Sequence, residues 1–186
     1  MLKEEYKAPH FANNHDLIRN YLDRTANNVI KYLYNSAITL SCAESCTGGL
    51  LSQMITSISG ASAIFELGLC IYSNNIKEKI LGVNKSIIET HGAVSAQTAI
   101  EMAKRARALS GAMIGIGITG SAGPGLCEGK AAGTVYVGIS SDVGEYTYNM
   151  ELDKIEGIDR ESIRLLTVLS VFDDILTTAK KYTEKC

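Results

Sequence analysis

The residues with the greatest potential for chemistry lie in the segment AESCTGG, which runs from Ala43 to Gly49. A β-prone run precedes it and an apolar-periodic run follows it, so a strand is predicted to turn into a helix here. Open α/β sheets bind ligands beyond the carboxyl ends of their strands. A serine at such a point, here Ser45, would meet unpaired helix N–H groups that stabilise an alkoxide or oxyanion. Ser45 is therefore a candidate nucleophile.

Two other interpretations of this segment stay open from the sequence. Ser45 or Thr47 could simply cap the helix, because hydroxyl side chains are common N-caps. Cys46 could be the nucleophile instead, since a thiol at a helix start is also activated. Whichever residue reacts, Gly48 and Gly49 would let a ligand approach the backbone closely.

A serine nucleophile needs a base, and Lys77 is the best candidate because lysine replaces histidine in Ser-Lys hydrolases. Tyr72 ends a predicted strand and Lys77 opens the helix after it, so both would emerge at the sheet edge that carries Ser45. Lys77 precedes Leu81 by four residues and borders an apolar face, where partial burial would lower its pKa. The competing interpretation is a solvated helix lysine. His91 is predicted to lie at a helix end.

Arg160 stands in an unusual place for a cation. Asp159 is a natural N-cap, which puts Arg160 in the first turn of the last helix, where the helix dipole disfavours positive charge. Binding an anion would reverse this penalty, and arginine suits phosphate. The alternatives are an exposed arginine or an ion pair with Glu156.

Two glycine-rich stretches imitate nucleotide-binding motifs. GIGITG, from Gly115 to Gly120, matches GxGxxG after a strand, but a Pro/Gly loop follows where a dinucleotide fold needs a helix. GPGLCEGKA resembles a P-loop, but Pro124 replaces its first glycine and Ala131 replaces its magnesium-binding hydroxyl residue. We therefore exclude both motifs. The glycine-rich backbone near Thr119 can still cradle part of a ligand.

The elements that position these residues alternate between strands and helices. The predicted strands are 37–43, 67–72, GAMIGIGIT, and a hairpin of GTVYVGIS with EYTYNME; the longest predicted helices are 16–34, the segment capped by Ser95, and 159–181. This order predicts an α/β fold, a three-layer α/β/α sandwich with a mixed sheet. Residues 1–14 are predicted to form a flexible N-terminal arm and 15–186 a single domain.

The composition limits the possible partners. The chain has 186 residues, of which 46% are hydrophobic and 20% charged, with a net charge of −2. It has no basic run, so neither nucleic acid nor a membrane surface is expected as a partner. Five scattered cysteines and three histidines lack metal-ligand spacing, so no metal is expected. With no signal core and no membrane span, we expect a cytoplasmic protein.

Several motifs in order resemble one known family. They are AESCTGGLLSQMIT, GLCIYSNNIKEKILGV, HGAVS, GITGSAGP and KAAGTVYVGI. Together they are similar to the CinA C-terminal-domain family, which includes nicotinamide-nucleotide amidohydrolases. The resemblance covers about residues 26–180. It is that of a stand-alone domain, without the additional N-terminal domain of two-domain CinA proteins.

The resemblance implies a reaction and a set of site residues. It implies deamidation of nicotinamide mononucleotide to nicotinate mononucleotide and ammonia, with no metal or other cofactor. Ser45 matches the family's nucleophile, and Tyr72 and Lys77 match its tyrosine and lysine partners. The expected substrate-binding residues are Thr47, Gly48, Gly49, Thr119, Gly120, Lys130 and Arg160. Arg160 would then bind the substrate phosphate, with Lys130 as the next candidate.

The loop GPGLCEGKAAG departs from the family pattern. It has fewer glycines than usual, and Ala131 replaces the common proline after the lysine. Because this loop is expected to shape the pocket, an alternative function remains: a non-catalytic nucleotide-binding or competence/damage-associated module. In either case the resemblance implies a homo-oligomer, expected to be a dimer.

Overall fold

The computed structural model describes residues 3–184, so the first two residues of the expected arm and Cys186 lie outside the described residues. The helices are α1 Glu4–Lys7, α2 Pro9–Ala12, α3 His15–Asn35, α4 Leu50–Thr56, α5 Asn74–Ile76, α6 Lys85–His91, α7 Ala96–Ser110 and α8 Arg160–Thr183. The strands are β1 Leu40–Glu44, β2 Phe65–Cys70, β3 Ile114–Gly120, β4 Val135–Ser141 and β5 Gly144–Asn149. A π-helix, Lys77–Leu81, continues α5, and 3₁₀ turns occupy Ala61–Ala63 and Leu152–Lys154.

The five strands form one mixed sheet in the order β2-β1-β3-β4-β5. β1 pairs in parallel with β2 and β3, whereas β3, β4 and β5 pair antiparallel. Helix α7 packs on one face of the sheet. Helices α3, α4 and α8 bury the apolar residues of the other face. The predicted three-layer α/β/α sandwich with a mixed sheet is confirmed.

The glycines of β3 and β4 serve the packing of α7. A Cβ atom on Gly117 would lie 2.1 Å from the carbonyl oxygen of Ala99, and one on Gly138 would lie 2.5 Å from the same oxygen. The helix backbone therefore rests directly on the sheet, which side chains at these positions would prevent. The GIGITG pattern is explained by this close approach, and a loop, as predicted, follows β3.

Strand boundaries differ from the predictions by a few residues. β1 begins at Leu40, after Ala37 turns the chain out of α3 with a φ of 51°. β2 ends at Cys70, so Tyr72 lies beyond the strand instead of ending it. α3 continues without a break through the polar TANN segment, because its buried face contributes Ala26, Val29 and Ile30 to the core.

The segment predicted to be a flexible arm contains α1 and α2 in its described part. Tyr6 and Phe11 are buried, with their ring centroids 5.1 Å apart in a stacked arrangement. Phe11 also meets the ring of Tyr21 in α3 edge-on at 5.1 Å. These aromatic contacts place the segment against the core, which its polar average composition does not indicate.

Candidate active site

The carboxyl ends of the parallel strands meet at one edge of the sheet, as the sequence predicts. Ser45 follows β1, Tyr72 lies just past β2, and Gly120 ends β3. All three line a cavity of about 310 Å³. The other lining residues are Cys46, Ser121, Ala122, Gly123, Gly125, Leu126, Cys127 and Arg160.

Lys77 and Ser45 are in direct contact. The Nζ atom of Lys77 lies 3.1 Å from the Oγ atom of Ser45. It also donates to the carbonyl oxygens of Ile71 at 3.1 Å and Tyr72 at 3.3 Å. Lys77 is only 1% exposed. Because a carbonyl oxygen can only accept a hydrogen bond, two hydrogens of Nζ are donated to the carbonyls of Ile71 and Tyr72. The remaining position on Nζ, a third hydrogen or the lone pair, faces Ser45.

The surroundings of Lys77 favour its neutral form. Burial lowers the pKa of the amine, while the nearby Cys46 and Glu128 act in the opposite direction. Its three hydrogen-bond partners are all uncharged oxygens. A neutral amine in this position accepts the hydroxyl hydrogen of Ser45 through its lone pair. The interpretation of Lys77 as a solvated helix lysine is wrong.

A short irregular helix delivers Lys77 into the site. Ser73 caps α5 by accepting a hydrogen bond from the backbone N–H of Ile76 at 3.4 Å. The π-helix begins at Lys77 and ends at Leu81, followed by Gly82, which has a left-handed φ of 76°. No local sequence pattern indicates the π-helical turn. Such turns are frequent at functional sites.

Glu44, not Ser45, interacts with the start of α4. The carboxylate of Glu44 is fully buried and accepts from the backbone N–H of Leu51 at 3.0 Å and of Ser52 at 2.8 Å. The Ser52 hydroxyl donates to it at 2.7 Å. The N-cap residue is Gly49, with no side-chain cap bond. The structure therefore corrects the prediction that Ser45 opens the helix, and it also removes the capping interpretation of Ser45.

Candidate oxyanion donors lie in the turn that follows Ser45. The N–H of Ser45 itself donates to the carbonyl of Ile118 at 2.9 Å, and the N–H of Gly48 donates to the carbonyl of Ser45 at 3.1 Å. Among residues 3–184, the N–H groups of Cys46 and Thr47 donate to no oxygen atom. Both groups, one and two residues past the nucleophile, interact with the Cys46 sulfur, a weak acceptor that an oxyanion can replace.

Cys46 lines the cavity but is a poor nucleophile. Its side chain is buried, and burial raises the pKa of the thiol to about 12. Because the thiolate is the reactive form, a thiol with this pKa is inert near neutral pH. The geometry therefore favours Ser45, which has a base in contact.

Tyr72 and Arg160 stand at the mouth of the cavity. Tyr72 is 64% exposed, and its hydroxyl lies 3.5 Å from Nη2 of Arg160. Nη1 of Arg160 donates to the carbonyl of Gly123 at 2.6 Å. The contact of Tyr72 with Lys77 is made by its carbonyl oxygen, so the phenol is placed to meet a ligand instead of the base.

The start of α8 agrees with the sequence prediction. Asp159 is the N-cap and accepts from the N–H of Ser162 at 2.7 Å, which makes Arg160 the first helical residue. Arg160 forms its side-chain bonds with Gly123 and Tyr72, so the alternative ion pair with Glu156 is not formed.

Several residues expected to bind substrate do not line the cavity. Thr119 is buried, and its hydroxyl donates to the carbonyl of Ala93 at 2.7 Å. Gly48 and Gly49 have left-handed φ values of 62° and 90°, so the turn itself requires glycine there. Of the expected substrate-binding residues, only Gly120 and Arg160 line the cavity.

Lys130 and Glu128 tie the cavity loop to the HGAVS segment. The Glu128 carboxylate accepts from the N–H groups of Ala93 at 3.1 Å and Val94 at 3.0 Å. Lys130 donates to the carbonyl of Val94. Burial alone would raise the pKa of Glu128, but these hydrogen bonds lower it. Lys130 is thus engaged away from the cavity. No sequence pattern indicates that Glu128 joins these two segments.

Arg164 is a second residue that sequence analysis missed. Its Nε and Nη2 atoms donate to the carbonyl of Thr47 at 3.2 and 3.0 Å. Thr47 is fully buried and is expected from the sequence to bind substrate, but it is not a lining residue. The contact joins α8 to the turn after β1, a pairing that local sequence patterns do not reveal.

The described residues provide no obvious metal centre. Within residues 3–184, no group of three or more His, Cys, Asp and Glu side chains could hold a metal ion. In the same part of the chain, no helix has both the length and the apolar character needed to cross a membrane.

Sequence comparisons match most of this chain to known proteins. A family model described as the CinA C-terminal domain matches residues 22–179. A putative competence-damage inducible protein of Thermoanaerobacter sp. (strain X514) is 47% identical over 146 residues, which are 78% of this chain and 34% of that protein. A CinA-like protein of Geobacter sulfurreducens is 37% identical over 153 residues, 81% of this chain and 36% of that protein. The chain spans about a third of the length of the curated relatives it matches.

Solved structures share most of this architecture. The competence/damage inducible protein CihA of Agrobacterium tumefaciens has a TM-score of 0.79 and 34% identity, covering 85% of this chain and 95% of that one. A competence-damaged protein (CinA) superfamily member from Klebsiella pneumoniae also has a TM-score of 0.79, with 28% identity, 86% of this chain and 98% of that one.

Proposed function

The chain belongs to the CinA C-terminal domain family, and on this basis we propose that it is a serine amidohydrolase. Its proposed reaction converts nicotinamide mononucleotide and water to nicotinate mononucleotide and ammonia. One observation carries the proposal: a buried lysine amine lies 3.1 Å from a serine hydroxyl at the wall of a ligand-sized cavity. A buried amine with a lowered pKa is the chemistry expected of a general base.

The first step joins Ser45 to the substrate. Neutral Lys77 takes the hydroxyl proton of Ser45 while Oγ forms a bond to the carboxamide carbon. The carbonyl π electrons move to oxygen, and the N–H groups of Cys46 and Thr47 are the proposed donors to that oxyanion. The lysine ammonium, still held by the carbonyls of Ile71 and Tyr72, now carries the proton needed for the next step.

The second step releases ammonia and the third restores the enzyme. Lys77 returns its proton to the amide nitrogen, and the C–N bond breaks. Ammonia departs, and the substrate remains bound to Ser45 as an acyl ester. Water then gives a proton to neutral Lys77 and attacks the ester carbonyl. The Ser45–carbon bond breaks and Lys77 reprotonates Oγ. The carboxylic acid product gives its remaining proton to the released ammonia in solvent and becomes a carboxylate.

The cavity mouth suits the rest of a mononucleotide. Arg160 offers a guanidinium to a phosphate, which would offset the unfavourable placement of a cation at a helix start. Tyr72 is exposed beside it and can cover an aromatic ring or sugar. A cavity of about 310 Å³ is at the small end of ligand sites, so the reacting ring would lie inside and the phosphate at the rim.

The decisive experiment measures ammonia release from nicotinamide mononucleotide by the purified chain, with mass spectrometry of the nucleotide product. We expect stoichiometric ammonia and nicotinate mononucleotide without added metal, also after treatment with a chelator. Calorimetric binding is measured in parallel. Tight binding without ammonia release would refute the amidohydrolase and favour the alternative, a non-catalytic nucleotide-binding module.

A further inference from the structure

Arg164 holds the turn that carries Ser45 although it lies outside the cavity. Two nitrogens of its guanidinium donate to one acceptor, the carbonyl oxygen of Thr47, at 3.2 and 3.0 Å. A planar group that makes two bonds to one oxygen fixes both the position and the direction of that carbonyl. A lysine, with a single point charge, would not do the same.

The guanidinium is itself held in place. Glu161 accepts from Nη1 of Arg164 at 2.9 Å through one carboxylate oxygen. Its other oxygen accepts from Arg19 of α3 at 2.5 Å. All three guanidinium nitrogens of Arg164 are therefore engaged, by the Thr47 carbonyl and by Glu161 of its own helix, which Arg19 of α3 also contacts.

The turn needs such a contact because its own sequence makes it flexible. Gly48 and Gly49, both with positive φ, follow the Thr47 carbonyl directly, and glycine allows the preceding peptide to rotate with little steric resistance. The hydroxyl of Thr47 is buried and has no hydrogen-bond partner among residues 3–184. Rotation of the Thr47–Gly48 peptide would also break the bond from the Gly48 N–H to the Ser45 carbonyl.

We propose that Arg164 is a positioning residue for the nucleophile. By fixing the Thr47 carbonyl, it keeps Ser45 Oγ within reach of Lys77 and keeps the N–H groups of Cys46 and Thr47 in a constant relation to Oγ. The effect on catalysis rests on the proposed amidohydrolase function, whereas the fixing of the turn by Arg164 does not depend on it.

The kinetic test compares Arg164→Lys and Arg164→Gln with the unmodified chain. We expect kcat on nicotinamide mononucleotide to fall about ten- to a hundredfold, as misplacement of a reacting group by about 1 Å does. KM should change less than about threefold, because Arg164 does not line the cavity. Arg105→Gln is the matched control: Arg105 also pairs with a glutamate on its own helix, Glu101 at 2.7 Å. Its kinetics should not change.

A second measurement, hydrogen–deuterium exchange of peptides covering residues 45–56, does not require activity. Exchange should be faster in both Arg164 variants and unchanged in Arg105→Gln. If the unmodified chain releases no ammonia, the proposed function is wrong and exchange alone decides whether Arg164 holds the turn. Unchanged kcat in folded variants of an active enzyme would overturn the inference, as would a rise in KM alone or unchanged exchange.

Discussion

At the scale of single residues, the site depends on one amine placed among oxygens that carry no charge. Lys77 donates to two carbonyls and faces the hydroxyl of Ser45, and burial lowers the pKa of its amine. An ion pair with a carboxylate would have kept the lysine protonated. The carboxylate of Glu44, the residue next to the nucleophile, accordingly accepts hydrogen bonds from the start of α4 and forms no ion pair with Lys77.

We predict that Ser45→Ala abolishes ammonia release and leaves stability nearly unchanged. Ser45 caps no helix, so the loss of about 1 kcal/mol expected for a removed cap should be absent. Ammonia assays and urea denaturation measure the two effects. Ser57→Ala, which removes an exposed hydroxyl bonded to the Met54 carbonyl at 2.8 Å, is the control. Full turnover in folded Ser45→Ala would exclude it as nucleophile.

The lowered pKa of Lys77 makes both catalysis and stability depend on pH, each with a defined sign. The pKa of its amine lies below the ordinary value of 10.5, so kcat/KM should rise with pH through that lowered pKa as the base becomes neutral. Lys77→Arg should lose about a hundredfold or more at every pH, because arginine keeps its proton. Retained activity in that variant would mean that Lys77 supplies only charge.

The stability of the fold should also depend on the titration of the Lys77 amine. Between the lowered pKa of the folded chain and the ordinary value, the unfolded chain binds more protons at Lys77, so the free energy of unfolding rises with pH. Lys77→Met lacks this contribution. The stability of the unmodified chain relative to Lys77→Met should therefore increase as pH is raised from the lowered pKa toward 10.5. A difference independent of pH would contradict the lowered pKa.

At the scale of elements, three strand ends and the start of α8 converge on the cavity. β1 and β2 place Ser45 and Tyr72, while α8 contributes Arg160 to the cavity wall and Arg164 to the turn behind it. The first turns of α8 thus contribute both to the ligand cavity, through Arg160, and to the turn that carries Ser45, through Arg164. Glu128 adds a third connection by tying the cavity loop to the segment before α7.

Local signals in the sequence predicted the elements better than the contacts between them. The caps Ser95 and Asp159 follow from residue type and spacing, and both accept the hydrogen bonds expected of N-caps. The fold class follows from the alternation of strands and helices. By contrast, the contacts of Glu44 and Arg164 join separate elements, and no periodicity encodes which backbone groups they reach.

We predict that Arg160→Ala weakens nicotinamide mononucleotide more than the phosphate-free riboside. A lost charge-assisted hydrogen bond costs about 1.5–3 kcal/mol, or one to two decades in affinity. Since the riboside never uses this contact, its affinity should change little. Calorimetry on an inactive Ser45→Ala background measures both ligands without turnover. Equal weakening of the two would mean that Arg160 acts by holding Gly123, its partner at 2.6 Å, and not by binding phosphate.

At the scale of the whole molecule, residues ahead of the matched family region contact α8, the helix that contributes Arg160 to the site. The family model begins at residue 22, yet two contacts from α3 to the start of α8 come from earlier residues. His15 lies 3.1 Å from the carboxylate of Asp159, and Arg19 lies 2.5 Å from that of Glu161. The position of α8 thus depends partly on a segment that the family pattern does not include.

Substitution of Phe11 tests the expectation that residues 1–14 form a flexible arm. Phe11 is 5% exposed and contacts the rings of Tyr6 and Tyr21 at 5.1 Å each. Hence Phe11→Ala should lower the free energy of unfolding by about 3 kcal/mol, the cost of removing a buried aromatic side chain. His10→Ala, at the exposed neighbouring position in α2, should change it by less than about 0.5 kcal/mol. Urea denaturation measures both variants. If the two are equally stable, and limited proteolysis removes residues 1–14 before any cut in the rest of the chain, the segment is an arm and its aromatic contacts contribute nothing.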